Sequence, residues 1–409
     1  MTRQVQDAYI VAARRTPIGK APKGVFRNVR PDDLLVHAIR SMLADVPSLD
    51  HAVIEDAIVG CAIPEAEQGL NVARMGVLLA GLPKSVGGVT VNRFCAAGLT
   101  ALVMAADRIR VGESDAIIAA GTESMSMVPM MGNRPSINMR AFESDENVGI
   151  AYGMGLTAEK VAQQWKVDRE AQDAFALESH RRAIAAQEAG EFADEIAPIE
   201  VVEKFPDLGS GEVEVRSRQV ALDEGPRKDT TAEALARLRP AFAAPRSPAG
   251  KATGMGSVTA GNSSQTSDGA GALLVVSEKI LKQFQLTPLA RFVSFAVRGV
   301  PPEIMGIGPK EAIPAALRVA GLDLADIGWI ELNEAFAAQS LAVMRDLDMN
   351  PEVVNPMGGA IALGHPLGAT GAIRASTVVH ALRRRQLRYG MVTMCVGTGM
   401  GAAGIIERV

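Results

Sequence analysis

The chain has 409 residues, of which 48% are hydrophobic and 22% charged, and its net charge is −4. This is the make-up of a globular chain with ample core, sized for two or three domains or one large layered one. The acidic balance argues against nucleic acid or an anionic membrane as the main partner, and leaves room for a local basic patch that meets a phosphorylated ligand.

No apolar run reaches the length of a membrane span. Met1 to Asp7 lacks the apolar core of a secretory signal, and Glu407-Arg408-Val409 is not a peroxisomal address. Cys61, Cys95 and Cys395 form no C-x-x-C pair, which fits free thiols in a reducing compartment. The expected location is cytoplasmic.

Tyr9-Ile10-Val11-Ala12-Ala13 predicts a buried first strand, followed by the turn-rich Arg14 to Gly19. Asp32 and Asp33 are expected to cap a helix that runs to about Ala44. Ala57 to Cys61 reads as a second strand with Cys61 as a packing residue, and Asn71 to Gly81 as a second helix. Gly87 to Asn92 looks like the end of a short β-branched strand. From Ala96 to about Arg110, Leu99, Leu102, Val103, Ala106 and Ile109 recur at helical spacing.

Cys95 therefore falls where a strand turns into a helix. The free N–H groups of a helix start stabilise a thiolate, so its pKa is expected to be lowered. Taken alone, the stretch reads slightly better as a buried cysteine packing as a small hydrophobe. Asp115 to Gly121 is another strand, and the alternation of strands with helices predicts a layered α/β domain.

The character changes from about Met125 to Gln265. Met125, Met127, Met130, Met131, Met139 and Met154 lie in a loop-rich segment, and read equally as an adaptable binding wall or as gap filling. Thr157 to Ala186 predicts one helix with Thr157 as its cap. Val201 to Asp223 alternates valine with charge, as an exposed strand pair does, and Ala243 to Gly256 has the composition of a surface loop. The α/β pattern then resumes with strands at Ala272 to Val276, Ala290 to Val297, Ile327 to Leu332 and Met391 to Val396.

An internal repeat links the two α/β regions. Val91-Asn92 opens a motif loop, a helix, a strand and Gly121-Thr122. Val354-Asn355 opens a motif loop, a helix from Ala372 to Arg385, a strand and Gly397-Thr398-Gly399. The expectation is two similar halves facing each other, with Cys95 from one and His365 and Cys395 from the other at their junction.

His365 lies among glycines and prolines from Asn355 to Gly371, a backbone of special conformations able to hold an imidazole rigidly. It is the histidine expected to act as a base or hydrogen-bond donor. His37, His180 and His380 fall in predicted helices and His51 in a polar connection, where structural or solvated roles are expected. Cys395 runs into the glycine-rich turn Gly397-Thr398-Gly399, by itself a weak signal that also suits phosphate. Asn333-Glu334 at the end of a strand reads alone as a helix cap, with orientation of a water as the other reading.

Together these four stretches resemble the thiolase family over nearly the whole chain. The match comprises Asn92-Arg93-Phe94-Cys95-Ala96-Ala97-Gly98, Asn333-Glu334-Ala335-Phe336, Gly364-His365-Pro366 and Cys395-Val396-Gly397-Thr398-Gly399, in family order and spacing. Leu238 to Phe242 and Val258 to Ser264 are similar to its coenzyme A segment. The resemblance implies a duplicated five-layer α-β-α-β-α fold with an inserted loop domain. Its first half would span 1–124 and 267–287, the loop domain 125–266 and the second half 288–409.

The implied activity is thiolytic cleavage of 3-ketoacyl-CoA by coenzyme A to acetyl-CoA and a shortened acyl-CoA, reversible as a Claisen condensation. By the same match Cys95 is the nucleophile and His365 activates it. Cys395 is the general acid and base. Asn333 holds a water that shares one oxyanion site with His365, and the N–H groups of Cys95 and Gly397 form the other. Arg227, Ala260, Gly261, Ser264, Met154 and Phe336 contact coenzyme A or substrate. Coenzyme A is a substrate, and no metal or redox cofactor is implied.

The family forms dimers or tetramers, sometimes with a hydratase/dehydrogenase subunit, so a homo-oligomer is expected. Gly153, standing where short-chain biosynthetic members carry His, resembles the degradative branch, as do Glu67-Gln68-Gly69 and the methionine wall. The alternatives are a short-chain acetoacetyl-CoA thiolase, a 3-ketoacyl synthase, which lacks the second cysteine, and a non-catalytic acyl-CoA or lipid-binding relative.

Overall fold

A computed structural model describes residues 5–144, 147–206, 209–242 and 256–409. Its framework is twelve strands. They are β1 (Tyr9–Arg15), β2 (Gly19–Lys20), β3 (Asp56–Gly60), β4 (Val89–Val91), β5 (Ala116–Ser124), β6 (Ile199–Pro206), β7 (Val213–Val220), β8 (Ser267–Val276), β9 (Ala290–Gly299), β10 (Ile327–Leu332), β11 (Tyr389–Val396) and β12 (Met400–Arg408).

Ten strands are hydrogen-bonded in the continuous order β4-β3-β5-β8-β1-β9-β12-β11-β10, with β2 beside β8, and this array divides into a first sheet, β4 to β1, and a second, β9 to β10. The two are joined only where Tyr9 and Ile10 meet Arg291 and Ala290. In the first sheet β4, β3 and β5 run parallel, whereas β8 is antiparallel to both β5 and β1. The second sheet repeats this pattern. A parallel bridge from Val354 to Ile330 takes the place of β4, β10 and β11 run parallel, and β12 is antiparallel to β11 and β9. The repeat read from Val91-Asn92 and Val354-Asn355 is thus a duplication of topology.

Three apolar cores fill the spaces between layers. Helices Pro31–Ala44 and Val72–Leu79 pack Leu34, Leu35, Ile39 and Val77 on the outer face of the first sheet. Helix Gly308–Ala320 packs Ile313 and Leu317 on the outer face of the second. Between the sheets lie helices Ala97–Arg110 and Leu367–Arg384, with Leu99, Leu102, Val378 and Leu382 in the central core. Leu367–Arg384 is buried along nearly its whole length, although it carries the polar residues Thr370, Arg374, Ser376 and Thr377.

These two central helices touch backbone to backbone. A Cβ at Gly98 would lie 2.7 Å from Ala372 N and 2.8 Å from Gly368 O, and one at Gly371 would overlap Leu99 N. Glycine here sets the separation of the two halves, and with it that of Cys95 from the loop carrying His365.

Several local expectations are corrected. Asp32 and Asp33 do not cap Pro31–Ala44: Pro31 occupies its first turn and Arg30, at the cap, offers no side-chain bond. Proline suits that position because its missing N–H would be unpaired there anyway. The single helix expected from Thr157 to Ala186 is two, Met154–Gln164 and Arg169–Glu188. Lys166 breaks them with φ at 52°, and Asp168 caps the second by accepting from Ala171 N–H at 2.7 Å. Thr157 lies inside the first, its hydroxyl donating to Met154 O (2.7 Å).

Helix Leu367–Arg384 starts ahead of Ala372, its first turns concealed by Gly368 and Gly371, and the final strand β12 hides in a run of glycine and alanine. The exposed strand pair is the hairpin β6–β7, with Val201 opposite Arg218. The loop expected over 243–256 lies outside the described residues apart from Gly256.

Candidate active site

The nucleophile candidate stands on a strained turn. β4 ends at Val91, and the exposed Asn92 fixes the path of the chain beyond it: Oδ1 accepts from Phe94 N–H (2.8 Å) while Nδ2 donates to Ala62 O (2.9 Å). Phe94 has φ at 44°, a left-handed conformation costly for an aromatic residue. A short 3-10 turn, Phe94–Ala96, presents Cys95 immediately before helix Ala97–Arg110. That turn packs against β11 and helix Leu367–Arg384, so Cys95 faces elements of the second half.

The N–H groups of Gly397 and of Cys95 itself are near enough to the Cys95 sulfur to favour its thiolate. Burial and then the Glu123 charge nonetheless push it up to about 12. The lowered pKa expected from the helix start is therefore corrected: loss of water costs the thiolate more than two N–H dipoles return. Cys95 needs a proton acceptor.

His365 can be one. Gly364, with φ at 103°, and Gly358, at 77°, shape its loop. The imidazole is 5% exposed. Its Nδ1 lies 2.7 Å from Thr370 Oγ1 and its Nε2 3.3 Å from Asn333 Nδ2. With the Asn333 amide so oriented, Nε2 accepts and Nδ1 carries the proton donated to Thr370. Burial first, then the Arg374 cation, press the pKa down to about 3, so His365 is neutral near pH 7.

Cys395 is fully buried near the end of β11, opposite Gly401. Its thiol is pushed up by burial and further by the Cys95 charge, which places the two sulfurs within electrostatic reach. The turn after it holds Thr398 and Gly399 at positive φ and brings Gly397 beside Phe94 and Met154. Met154, Phe336, Met305 and Val258 pack around Cys395 as an apolar wall.

Asn333 follows β10, and its N–H donates to Thr393 O of β11 (2.9 Å). Its Oδ1 is buried without a hydrogen-bond partner among the described residues. The helix-cap reading of Asn333-Glu334 does not hold, because helix Ala337–Asp346 starts at Phe336, whose N–H donates to Gln339 Oε1 (3.3 Å). Glu334 instead accepts from Ser179 Oγ (2.6 Å), Asn355 Nδ2 (2.9 Å) and Ile361 N–H (3.2 Å), a buried knot that pins the His365 loop to helix Arg169–Glu188.

Sequence reasoning passed over Glu123. Its buried carboxylate, at the end of β5, accepts from Ala62 N–H (2.7 Å), Ile63 N–H (3.3 Å), Gly368 N–H (2.8 Å) and Gln68. It joins the first half to the turn just after His365. Burial, opposed by those donors, raises its pKa to about 7.

A cavity of about 210 Å³ opens beside this centre, lined among others by Arg227, Ala260, Gly261, His180 and Gln265. Arg227, Ala260 and Gly261 thus share one wall. Ser264 is not part of it; its N–H donates to Ala335 O (2.9 Å). The segment leads inward, with Ser263 bridged to Phe336 and Thr266 to His365, so the cavity and the imidazole are ends of one track.

His180, expected to be structural or solvated, lines the cavity, and its Nδ1 accepts from Arg227 N–H (3.2 Å). Burial, then Arg227, lower it to about 4. Of the methionine wall, Met154 packs with Cys395, whereas Met130, Met131 and Met139 face solvent.

Comparison with known proteins agrees with this geometry. The family description "Thiolase, N-terminal domain" matches residues 8–279 and "Thiolase, C-terminal domain" residues 286–408. A 3-ketoacyl-CoA thiolase of Bacillus subtilis is 49% identical over 98% of this chain and 100% of its own. Human mitochondrial 3-ketoacyl-CoA thiolase superposes with a TM-score of 0.86 at 37% identity, covering 99% of this chain and 100% of that one. The dimeric peroxisomal thiolase of Saccharomyces cerevisiae gives 0.85 at 39% identity over 99% and 98%. With both halves matched in sequence and the duplicated sheets matched in space, the chain belongs to the thiolase family.

Proposed function

We propose that the chain cleaves 3-ketoacyl-CoA with coenzyme A, giving acetyl-CoA and an acyl-CoA two carbons shorter. The observation that carries this reading is the packing of the turn that holds the half-buried Cys95 against β11, which holds the buried Cys395, with the N–H groups of Cys95 and Gly397 favouring the first thiolate. His365 Nε2, which carries no proton, takes the Cys95 proton. The thiolate attacks the 3-keto carbon, and the oxyanion is held by the N–H groups of Cys95 and Gly397.

The C2–C3 bond breaks, leaving the acyl group on Cys95 and its electron pair in an enolate. The enolate thioester oxygen accepts from His365, now protonated at Nε2, and from a water held by Asn333, whose unpartnered Oδ1 supports that role. Cys395 protonates the enolate carbon. Its thiolate then deprotonates the incoming coenzyme A, which takes the acyl group from Cys95, and the released Cys95 thiolate recovers its proton from His365. Protons and an acyl group move and no oxidation state changes, so the scheme calls for no metal or redox cofactor, and coenzyme A is a substrate. Arg227, Ala260 and Gly261 would meet its nucleotide end, and Met154 and Phe336 its acyl end.

A second copy of the chain is the proposed partner. β4 is an edge strand, and Leu70, Met75, Leu78 and Leu79 are exposed on the same unit. The cytoplasm is the proposed location; among the described residues no helix is long and apolar enough to cross a membrane.

The test is a thiolysis assay across 3-ketoacyl-CoA chain lengths, with gel filtration of the same sample. Turnover of long substrates with an acyl label trapped on Cys95 supports the degradative reading. Turnover of acetoacetyl-CoA alone would favour the biosynthetic branch, and none at any length would remove the activity. A species larger than a dimer would point to a tetramer or to a hydratase/dehydrogenase subunit.

A further inference from the structure

A second cation, Lys20, stands on a strand bonded to the chain on both sides of the cavity that Arg227 lines, near enough for its charge to act on His180 in the cavity wall. Lys20 ends β2, which pairs with Asp268 and Ser267 of β8. On its other side Lys20 N–H donates to Glu224 Oε2 (2.8 Å), and Glu224 N–H donates to Ile18 O (2.9 Å). One neighbour of Lys20 thus continues into Gln265 and the other into Arg227, both on the cavity wall.

Neither the Lys20 ammonium nor the Arg227 guanidinium makes a hydrogen bond or ion pair among the described residues. They are close enough that Arg227, after burial, lowers the Lys20 pKa against the pull of Glu224 and Asp229. Both cations also press on His180. The Glu224 carboxylate is occupied by Lys20 N–H and Val25 N–H, and Asp229 lies on the cavity rim. Two unpaired cations held together by backbone bonds repel each other, and an anion between them relieves that repulsion.

We propose that Lys20 and Arg227 jointly hold a phosphate of the nucleotide end of coenzyme A, so that Lys20 helps select coenzyme A over thiols that lack the nucleotide. This rests on the thiolysis reading above and adds Lys20 to it. Phosphate at this rim leaves the thiol arm to follow the segment from Gly261 toward Thr266 and His365.

The experiment compares K20A and K20R with the parent at saturating 3-ketoacyl-CoA, varying coenzyme A, dephospho-coenzyme A or pantetheine as acceptor thiol. K20A is expected to raise KM for coenzyme A about fivefold, the size of one partly exposed ion pair, with the change in KM rather than kcat. K20R should recover most of the loss, the effect should shrink at high salt, and KM for pantetheine should not move.

Dephospho-coenzyme A separates the two phosphate sources: a penalty that disappears assigns the 3′-phosphate, and one that persists assigns the diphosphate. An unchanged KM for coenzyme A, or an equal rise for pantetheine, overturns the proposal. Calorimetric titration with coenzyme A separates it from the activity. If the parent showed no thiolysis while K20A still weakened binding, the reaction would fall and the cation pair would stand.

Discussion

The two halves share a strand order but end their strands differently. After β4 the first half needs only Asn92 to Ala96 to reach its central helix, and that short strained turn carries Cys95. The second half takes Asn355 to Pro366 to cover the same step, with helix Ala360–Leu363 on the way, and the longer loop carries His365. At the next strand the roles diverge again. One residue before its end β5 carries Glu123, which is spent on backbone N–H groups, whereas β11 carries Cys395 there, in an apolar pocket. A duplicated scaffold thus supplies matching strand ends, and loop length and the single residue placed there decide which half contributes which group.

The largest effects should come from breaking that division at the thiols. Cys95→Ser should lower thiolysis by at least about 10³-fold and abolish acyl labelling. Cys395→Ser should lose turnover to a similar degree while Cys95 remains alkylated by iodoacetamide. Equal loss of labelling in both variants would show that the two sulfurs do not have separate roles.

The contact between halves is the next target. Gly371→Ala forces a methyl group against Leu99 N, and should cost about 1–3 kcal/mol of stability and lower activity with it. Thermal unfolding and kcat/KM measured together check this; an unchanged Tm would mean the helices have room to part. Thr370→Val removes the acceptor for His365 Nδ1–H and should lower kcat/KM about tenfold without loss of fold. Thr370→Ser should restore it.

The last effect concerns pH and vanishes at neutrality. His365 falls from 6.5 to about 3 on folding, so between those values the unfolded chain binds more protons. Its contribution to stability is complete above 6.5 and is lost as pH falls toward 3. His365→Asn should therefore lose less stability than the parent on acidification over that interval, as denaturant unfolding at several pH values would reveal. A steeper acid loss in the variant would contradict the burial of a neutral imidazole.

Local pattern was enough for much of this protein. Apolar strand runs, the helical spacing from Leu99 to Ile109 and the paired Val-Asn signals expose the α/β class and its duplication, because those features depend on near neighbours in the chain. Cys95, His365, Cys395 and Asn333 stand in motif loops whose glycines and prolines mark them before any fold is known. The split at Lys166 and the helical start at Leu367 were hidden, since packing overrode weak local preference there.

Electrostatic character was not legible at all. A helix start predicts a more acidic Cys95 thiol, yet the closure of two halves over it removes water and reverses the sign. Glu123 and His180 carry no motif. They matter because residues far apart in the chain are folded onto them: Gly368 onto the first, Arg227 onto the second. Chain order thus determined which groups are present and on which turns. Burial and long-range approach, which no local spacing encodes, decided their protonation and their partners.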